Sequence, residues 1–163
     1  MKSAIFVSIF TLTLTTSCDT PKEAISSTQH ENQTVIHEIQ LISSGTIYPS
    51  EEALVSPGGI VVRTLEEWTT LKSQMNQINH ETRDFDNLQI DFETEMVIGF
   101  FDEVQGSVGN TVNIESITEH LDGLHVNHSV TNAGEMGADV INQPYSLVKM
   151  RKRNKEVIFA PTF

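Results

Sequence analysis

Two histidines, His120 and His125, flank an Asp122-Gly123 pair, and here the chain comes nearest to metal chemistry. Read as a two-residue type I′ turn, Asp122-Gly123 makes His120 face His125 across a hairpin, close enough to share an ion. Zinc takes three or four ligands. Asp122 sits in the turn itself, and Glu119 and His128 fall on the other face. The expectation is therefore a pair of exposed polar side chains and no metal. Nucleophilic chemistry has less support. No serine stands in a nucleophile-elbow pattern. The segment Gly106-Ser107-Val108-Gly109 has neither the lysine nor the following helix of a phosphate loop. Carboxylates abound, as on any solvated acidic surface, and no two stand out as an acid/base couple. No catalytic set and no cofactor are expected, and the chain reads as a binding protein rather than an enzyme.

Cys18 is the only cysteine, so no intramolecular disulfide can form. Lys2 precedes the apolar run Ala4 to Leu14, which is too short to span a bilayer as a helix and suits a signal sequence. Thr15, Thr16 and Ser17 then lead into Cys18. The segment resembles the lipobox of bacterial lipoproteins, with Thr15 where a large aliphatic is usual. The resemblance implies cleavage after residue 17, a diacylglycerol on the Cys18 thiol, and a cell-envelope protein held by lipid. The outer membrane is the expected destination, on either its periplasmic or its surface face. Residues 19–34 are polar and read as a tether, roughly 20–25 Å long as a flexible coil.

The rest, 35–163, is enough for one domain with its own core. A hydrophobic fraction of 38% against 20% charged residues fits a globular chain better than a disordered one. The formal net charge is −12, and losing Lys2 with the signal peptide makes it one unit more negative. Such a chain is repelled by phosphate backbones, which argues against nucleic acid. Lys149, Arg151, Lys152, Arg153 and Lys155 nevertheless hold five of its ten basic residues. They either guard an edge strand or contact an acidic partner or headgroup.

Several elements can be placed. Alternation predicts a strand over 35–42, followed by a turn-rich stretch over 45–56 and a short strand at Ile60–Arg63. Thr64-Leu65-Glu66-Glu67 is a capping box. Leu65, Trp68, Leu71, Met75 and Ile78 recur on one face, predicting an amphipathic helix over 65–79 with Trp68 against a sheet. Residues 80–89 read as a polar loop. Met96 to Phe101 is a continuous apolar run, expected of a strand covered on both faces. The hairpin about Asp122-Gly123 pairs Leu121 with Leu124, Glu119 with Val126 and Ile117 with His128. Ile117, Leu121, Leu124, Val126 and Val130 then share its dry face. Strands follow at 145–150 and 157–159, joined by a tight Arg153-Asn154-Lys155 turn. The fold class is α+β and β-rich, a mostly antiparallel, sandwich-like domain with one main helix.

In this order the segments resemble the C-terminal domain of the PrcB family of protease-complex subunits, found among bacterial envelope lipoproteins. The likeness covers roughly residues 43–152. It runs through Val61-Val62-Arg63-Thr64-Leu65-Glu66-Glu67-Trp68, Ile90-Asp91-Phe92, Met96–Phe101, the glycine turn with the strand to Ile114, and Gln143-Pro144-Tyr145-Ser146-Leu147-Val148-Lys149. Where that family has a Thr-Gly-Gly-Tyr type turn, this chain has Ser107-Val108-Gly109-Asn110-Thr111. One glycine matches and the aromatic is absent. The resemblance implies a non-catalytic accessory that assembles or stabilises a surface protease. The turn also resembles the loop of chagasin-type cysteine-protease inhibitors, which leaves an inhibitor as an alternative beside a small-ligand or metal-binding module.

The expected partner-binding surface is the turn Gly106, Ser107, Val108, Gly109 and Asn110, with nearby loops at Asn132–Gly137 and Pro57–Gly59. Exposed loops on a rigid β scaffold are where such function usually sits.

Overall fold

The computed structural model describes residues 34–48, 55–77, 80–106, 108–132 and 140–161. The expected signal peptide, Cys18 and almost all of the tether lie outside the described residues. So do Ser107, Ile78, and residues 49–54 and 133–139. What is described belongs to one compact unit, Glu31–Phe163.

Eight strands and one helix occur in the order β1 (Val35–His37), β2 (Ile39–Ile47), β3 (Gly58–Val62), α1 (Leu65–Met75), β4 (Glu95–Phe101), β5 (Thr111–Glu119), β6 (Leu124–Thr131), β7 (Gln143–Arg151) and β8 (Val157–Pro161). They form two four-stranded sheets, β1-β5-β6-β8 and β2-β7-β4-β3. Every pairing is antiparallel except β6 with β8. This is the β-rich α+β sandwich expected from the sequence.

The second sheet is covered on both faces. Met96, Ile98, Val148 and Met150 meet Ile114, Ile117, Leu124 and Val126 of the first sheet. On the opposite face, Val97, Phe101, Tyr145 and Leu147 meet Trp68, Leu71 and Met75 of α1. Successive side chains of a strand point to opposite faces. Burial on both sides is thus what makes 96–101 apolar throughout. Between the sheets, the buried Ser146 hydroxyl accepts from the Ile114 amide at 3.4 Å, next to an irregularity in the β5–β6 ladder between Ile114 and Ser116.

The helix begins as its capping box requires. The Glu67 amide donates to the Thr64 hydroxyl at 3.2 Å, and the Thr64 amide donates to the Glu67 carboxylate at 3.1 Å. Trp68, only 2% exposed, packs in the core. Two details correct the sequence reading. Leu65, in the first turn, is exposed rather than part of the apolar stripe. The helix ends at Met75, because the Asn76 side chain holds Thr82 through Nδ2 to the hydroxyl at 2.7 Å and Oδ1 from the amide at 3.0 Å. The chain therefore turns back, and the stretch read as a polar loop buries Thr82 and Phe85. The Phe85 ring lies 5.8 Å from that of Trp68.

Four other readings are corrected. The expected strand over 35–42 is two strands in different sheets, since β1 pairs with β5 and β2 with β7. Gly45, Thr46 and Ile47, read as the start of a turn-rich stretch, continue β2 beside β7. The 120–125 hairpin pairs Glu119 with Leu124, Thr118 with His125 and Ile117 with Val126. That slip of two positions preserves side-chain parity. Ile117, Leu124 and Val126 stay buried, while Leu121, in the turn, and Val130, near the far end of β6, are exposed. Its cause lies in β8, which runs beside β6. The Leu124 amide donates to the Glu156 carbonyl at 2.8 Å, and a Cβ on Gly123 would come 2.7 Å from that oxygen. Gly123 thus serves close backbone approach. Finally, residues 152–156 carry the chain from one sheet to the other and do not close a hairpin.

Candidate partner-binding site

β2 starts opposite Met150 and ends opposite Gln143, which defines two ends of the sandwich. At the second end the chain leaves β2 and β4 and enters β3 and β7. Pro57–Gly59 sits there because Gly58 pairs with Phe101 and Gly59 with Phe100. The turn after β4 sits there too.

Buried amides bind the bases of these loops together. Gln143 is fully buried at the start of β7. Its Nε2 donates to the Val55 carbonyl at 2.8 Å and to the Asp102 carbonyl at 3.0 Å. Gln105 and Asn142 exchange backbone bonds of 2.8 and 3.0 Å as an isolated antiparallel bridge. The Asn142 side-chain amide also donates to the Val140 carbonyl at 2.9 Å. The Asp102 amide donates to the Pro144 carbonyl at 2.9 Å, and Gln105 Nε2 to the Asp102 carboxylate at 3.3 Å. Buried polar groups of this kind are costly when unpaired. The bonds donated here fix three loops to one another, although the buried Gln143 Oε1 accepts none among the described residues. Asn110 closes the turn as a buried residue, and Gly109 has φ of +94°, a conformation that favours glycine. Gly106 is exposed with open space where a Cβ would stand, and Val108 is exposed.

The structure therefore brings two of the three expected loops to one end. The third, Asn132–Gly137, falls almost entirely outside the described residues, although its return at Asn142 joins the same bracket. Gln143, Asn142 and Asp102 were not singled out from sequence. Their only signal was a glutamine at the head of an apolar strand, and burial cannot be read from that.

The opposite end holds most of the titratable groups. Glu119 accepts from Lys155 at 3.0 Å and from His37 at 2.8 Å, and Arg153 lies at 3.4 Å. Hydrogen bonds from Lys155 and His37 hold its carboxyl below the usual glutamate value. Lys149 bonds Glu95 at 2.7 Å and lowers that carboxyl likewise. Lys152 donates to the carbonyls of Phe92 (2.6 Å) and Arg63 (3.2 Å). Four of the five clustered cations thus serve the fold itself. Arg151 is exposed and makes no hydrogen bond or ion pair among the described residues.

The His120 and His125 rings lie 4.5 Å apart between centroids. They do not face each other across the ladder, where His125 pairs with Thr118. The His125 Nε2 is taken by Asp122 at 3.0 Å, which lowers the pKa of Asp122. Among the described residues, no three His, Cys, Asp or Glu side chains come together to hold a metal ion. No described helix is long and apolar enough to cross a membrane. No family model, curated protein or solved structure matches the chain.

Proposed function

We propose that the chain is an exported lipoprotein, acylated at Cys18, whose domain is a non-catalytic docking module for a protein partner in the cell envelope. In the form suggested by its resemblance to the PrcB family, that partner is a surface protease which the domain assembles or stabilises. The reading rests chiefly on the bracket at Gln143 and Asn142. It presents the segments at Val55–Gly58 and Asp102–Asn110 as one pre-organised surface, which lowers the entropic cost of binding. Solvent-facing Val108 and Gly106 give that surface a tip, and the buried amides beneath give it rigidity. The localisation rests on the signal-like run before Cys18 and the polar tether after it.

The test is crosslinked affinity capture from native envelopes, comparing the parent chain with Val108→Asp, a change at an exposed position that leaves the bracket intact. A partner enriched by the parent and lost with the variant supports docking through this end. Protease activity measured with and without the chain then separates an assembly factor from an inhibitor. A partner indifferent to Val108→Asp sinks the site assignment.

A further inference from the structure

β3 ends the second sheet, and no described strand lies beyond it. The direction of its backbone groups follows from the ladder. The Asp102 amide donates to Pro144 of β7, and successive residues of an antiparallel strand turn their amides and carbonyls to opposite sides. Phe101, Gly99 and Val97 therefore turn toward β3, where they meet Gly58, Ile60 and Val62. The amides and carbonyls of Gly59 and Val61 then point outward along a free edge. At Arg63, where the strand has ended, the amide is taken by the Glu67 carboxylate at 2.6 Å and the carbonyl by Lys152 at 3.2 Å.

Between this edge and α1 runs a groove of about 300 Å³. Ile60, Val62 and Leu71 give it apolar walls, and Glu66, Glu67 and Thr70 stand beside them. Its lining holds two carboxylates and no cation. Glu67 is committed to the capping box. The exposed Glu66 carboxylate makes no hydrogen bond or ion pair among the described residues. The cations of this region are engaged elsewhere. Arg63 donates to the Lys155 carbonyl at 3.0 Å, Lys152 to the carbonyls of Arg63 and Phe92, and Lys72 lies 5.8 Å from the Trp68 ring.

We propose that this edge and groove bind an extended segment of the partner protein, one in which apolar and polar side chains alternate and a lysine or arginine reaches Glu66. The inference rests on the docking reading and names what the partner offers. The segment adds a strand beside β3, pairing with the outward groups of Gly59 and Val61, as in β-strand addition. Every second side chain of such a segment points to the α1 side and enters the groove beside Ile60 and Val62. The two carboxylates select a cation, and a net charge of −12 draws basic segments from a distance. β3 begins at Gly58, within the Pro57–Gly59 loop, so one partner can touch the loop end and the groove together. A second copy of this chain fits worse, because each copy would bring two carboxylates and no cation to the joint.

The probe is a library of random peptides displayed on phage, selected on the whole chain purified in detergent. A labelled synthetic copy of an enriched peptide then reports affinity by fluorescence anisotropy. The enriched set should carry apolar residues at alternate positions and a lysine or arginine. Thr70→Trp, which fills the groove from an exposed helix position, should abolish binding. Glu66→Lys should weaken it by about fivefold, the upper range for an exposed ion pair. The Gly59 and Val61 amides should exchange with solvent more slowly in the complex. Thr70 and Glu66 are exposed, so unchanged thermal melts certify the fold of both variants. No enrichment, an enriched set without basic residues, or binding indifferent to Thr70→Trp overturns the proposal. So does a peptide-free dimer that Thr70→Trp dissociates, which gives the edge to a second copy. Val108→Asp should leave peptide binding unchanged. Partner capture that depends on Val108, with no peptide enriched, therefore sinks the groove alone and spares the docking reading.

Discussion

The side-chain amide of Gln143 donates to the carbonyl of Val55 at 2.8 Å, joining residues 88 positions apart in the chain. The same nitrogen reaches the Asp102 carbonyl at 3.0 Å. One buried group therefore fastens the segment before β3, the segment after β4 and the start of β7. Gln143→Leu keeps the volume and removes both donations. A destabilisation of about 2–3 kcal/mol is expected from the stranded carbonyls, measured by urea denaturation. Proteolysis of the native state should shift to the loops on either side of Asp102. An unchanged midpoint would mean that the loops hold their places without the bracket.

Phe85 lies in a stretch whose composition reads as loop, yet it is buried against Trp68. Phe85→Ala should cost about 3–4 kcal/mol, as for other buried aromatics. Because Trp68 is the only tryptophan, its emission reports the same site. A red shift in the folded variant is expected, from water reaching the indole.

Acid should weaken the fold through the carboxylates at the cation-rich end. Glu119 and Glu95 are held below their usual values by Lys155 with His37 and by Lys149 respectively. A carboxyl with a depressed folded-state pKa contributes stability above its unfolded pKa, and that contribution disappears as pH falls through the folded value. Melting temperature should therefore be level between neutrality and about pH 5 and fall below about pH 4.3, the ordinary glutamate range. Glu119→Gln and Glu95→Gln should each flatten that acid limb. Both sites are partly solvent-exposed, so each effect should be modest. An acid limb unchanged in the double variant would assign it to other groups.

Cys18→Ser should abolish incorporation of a fatty-acid label in cells and leave the unprocessed chain, while the melting temperature of the folded domain stays the same. Label retained by the serine variant would contradict acylation at Cys18.

Some of this fold was legible in the sequence because its causes are local. Thr64 and Glu67 specify a helix start by themselves, and the Met96–Phe101 run announces a strand buried on both faces. Other features depend on partners distant in the chain. The break between β1 and β2 at Glu38 reflects which sheet each half joins. The hairpin after Glu119 turns at Leu121-Asp122, one residue earlier than Asp122-Gly123, with β8 lying against Gly123. The burial of Phe85 depends on where α1 stops. The candidate site divides in the same way. Gly109 could be singled out as a turn residue from its type, and the structure gives it a positive φ, whereas the Gln143 and Asn142 bracket exists only once β4 and β7 lie side by side. The basic cluster was visible as composition, but its ion pairs with Glu119 and Glu95 were not.

The most direct test of docking through the loop end is a photo-crosslinking residue placed at Val108, with a second chain carrying it at Leu121, on opposite ends of the domain. Both chains are displayed on intact cells and irradiated. The account predicts a discrete protein adduct from position 108 and none of that mass from position 121. No adduct from 108, or the same adduct from both ends, would contradict it.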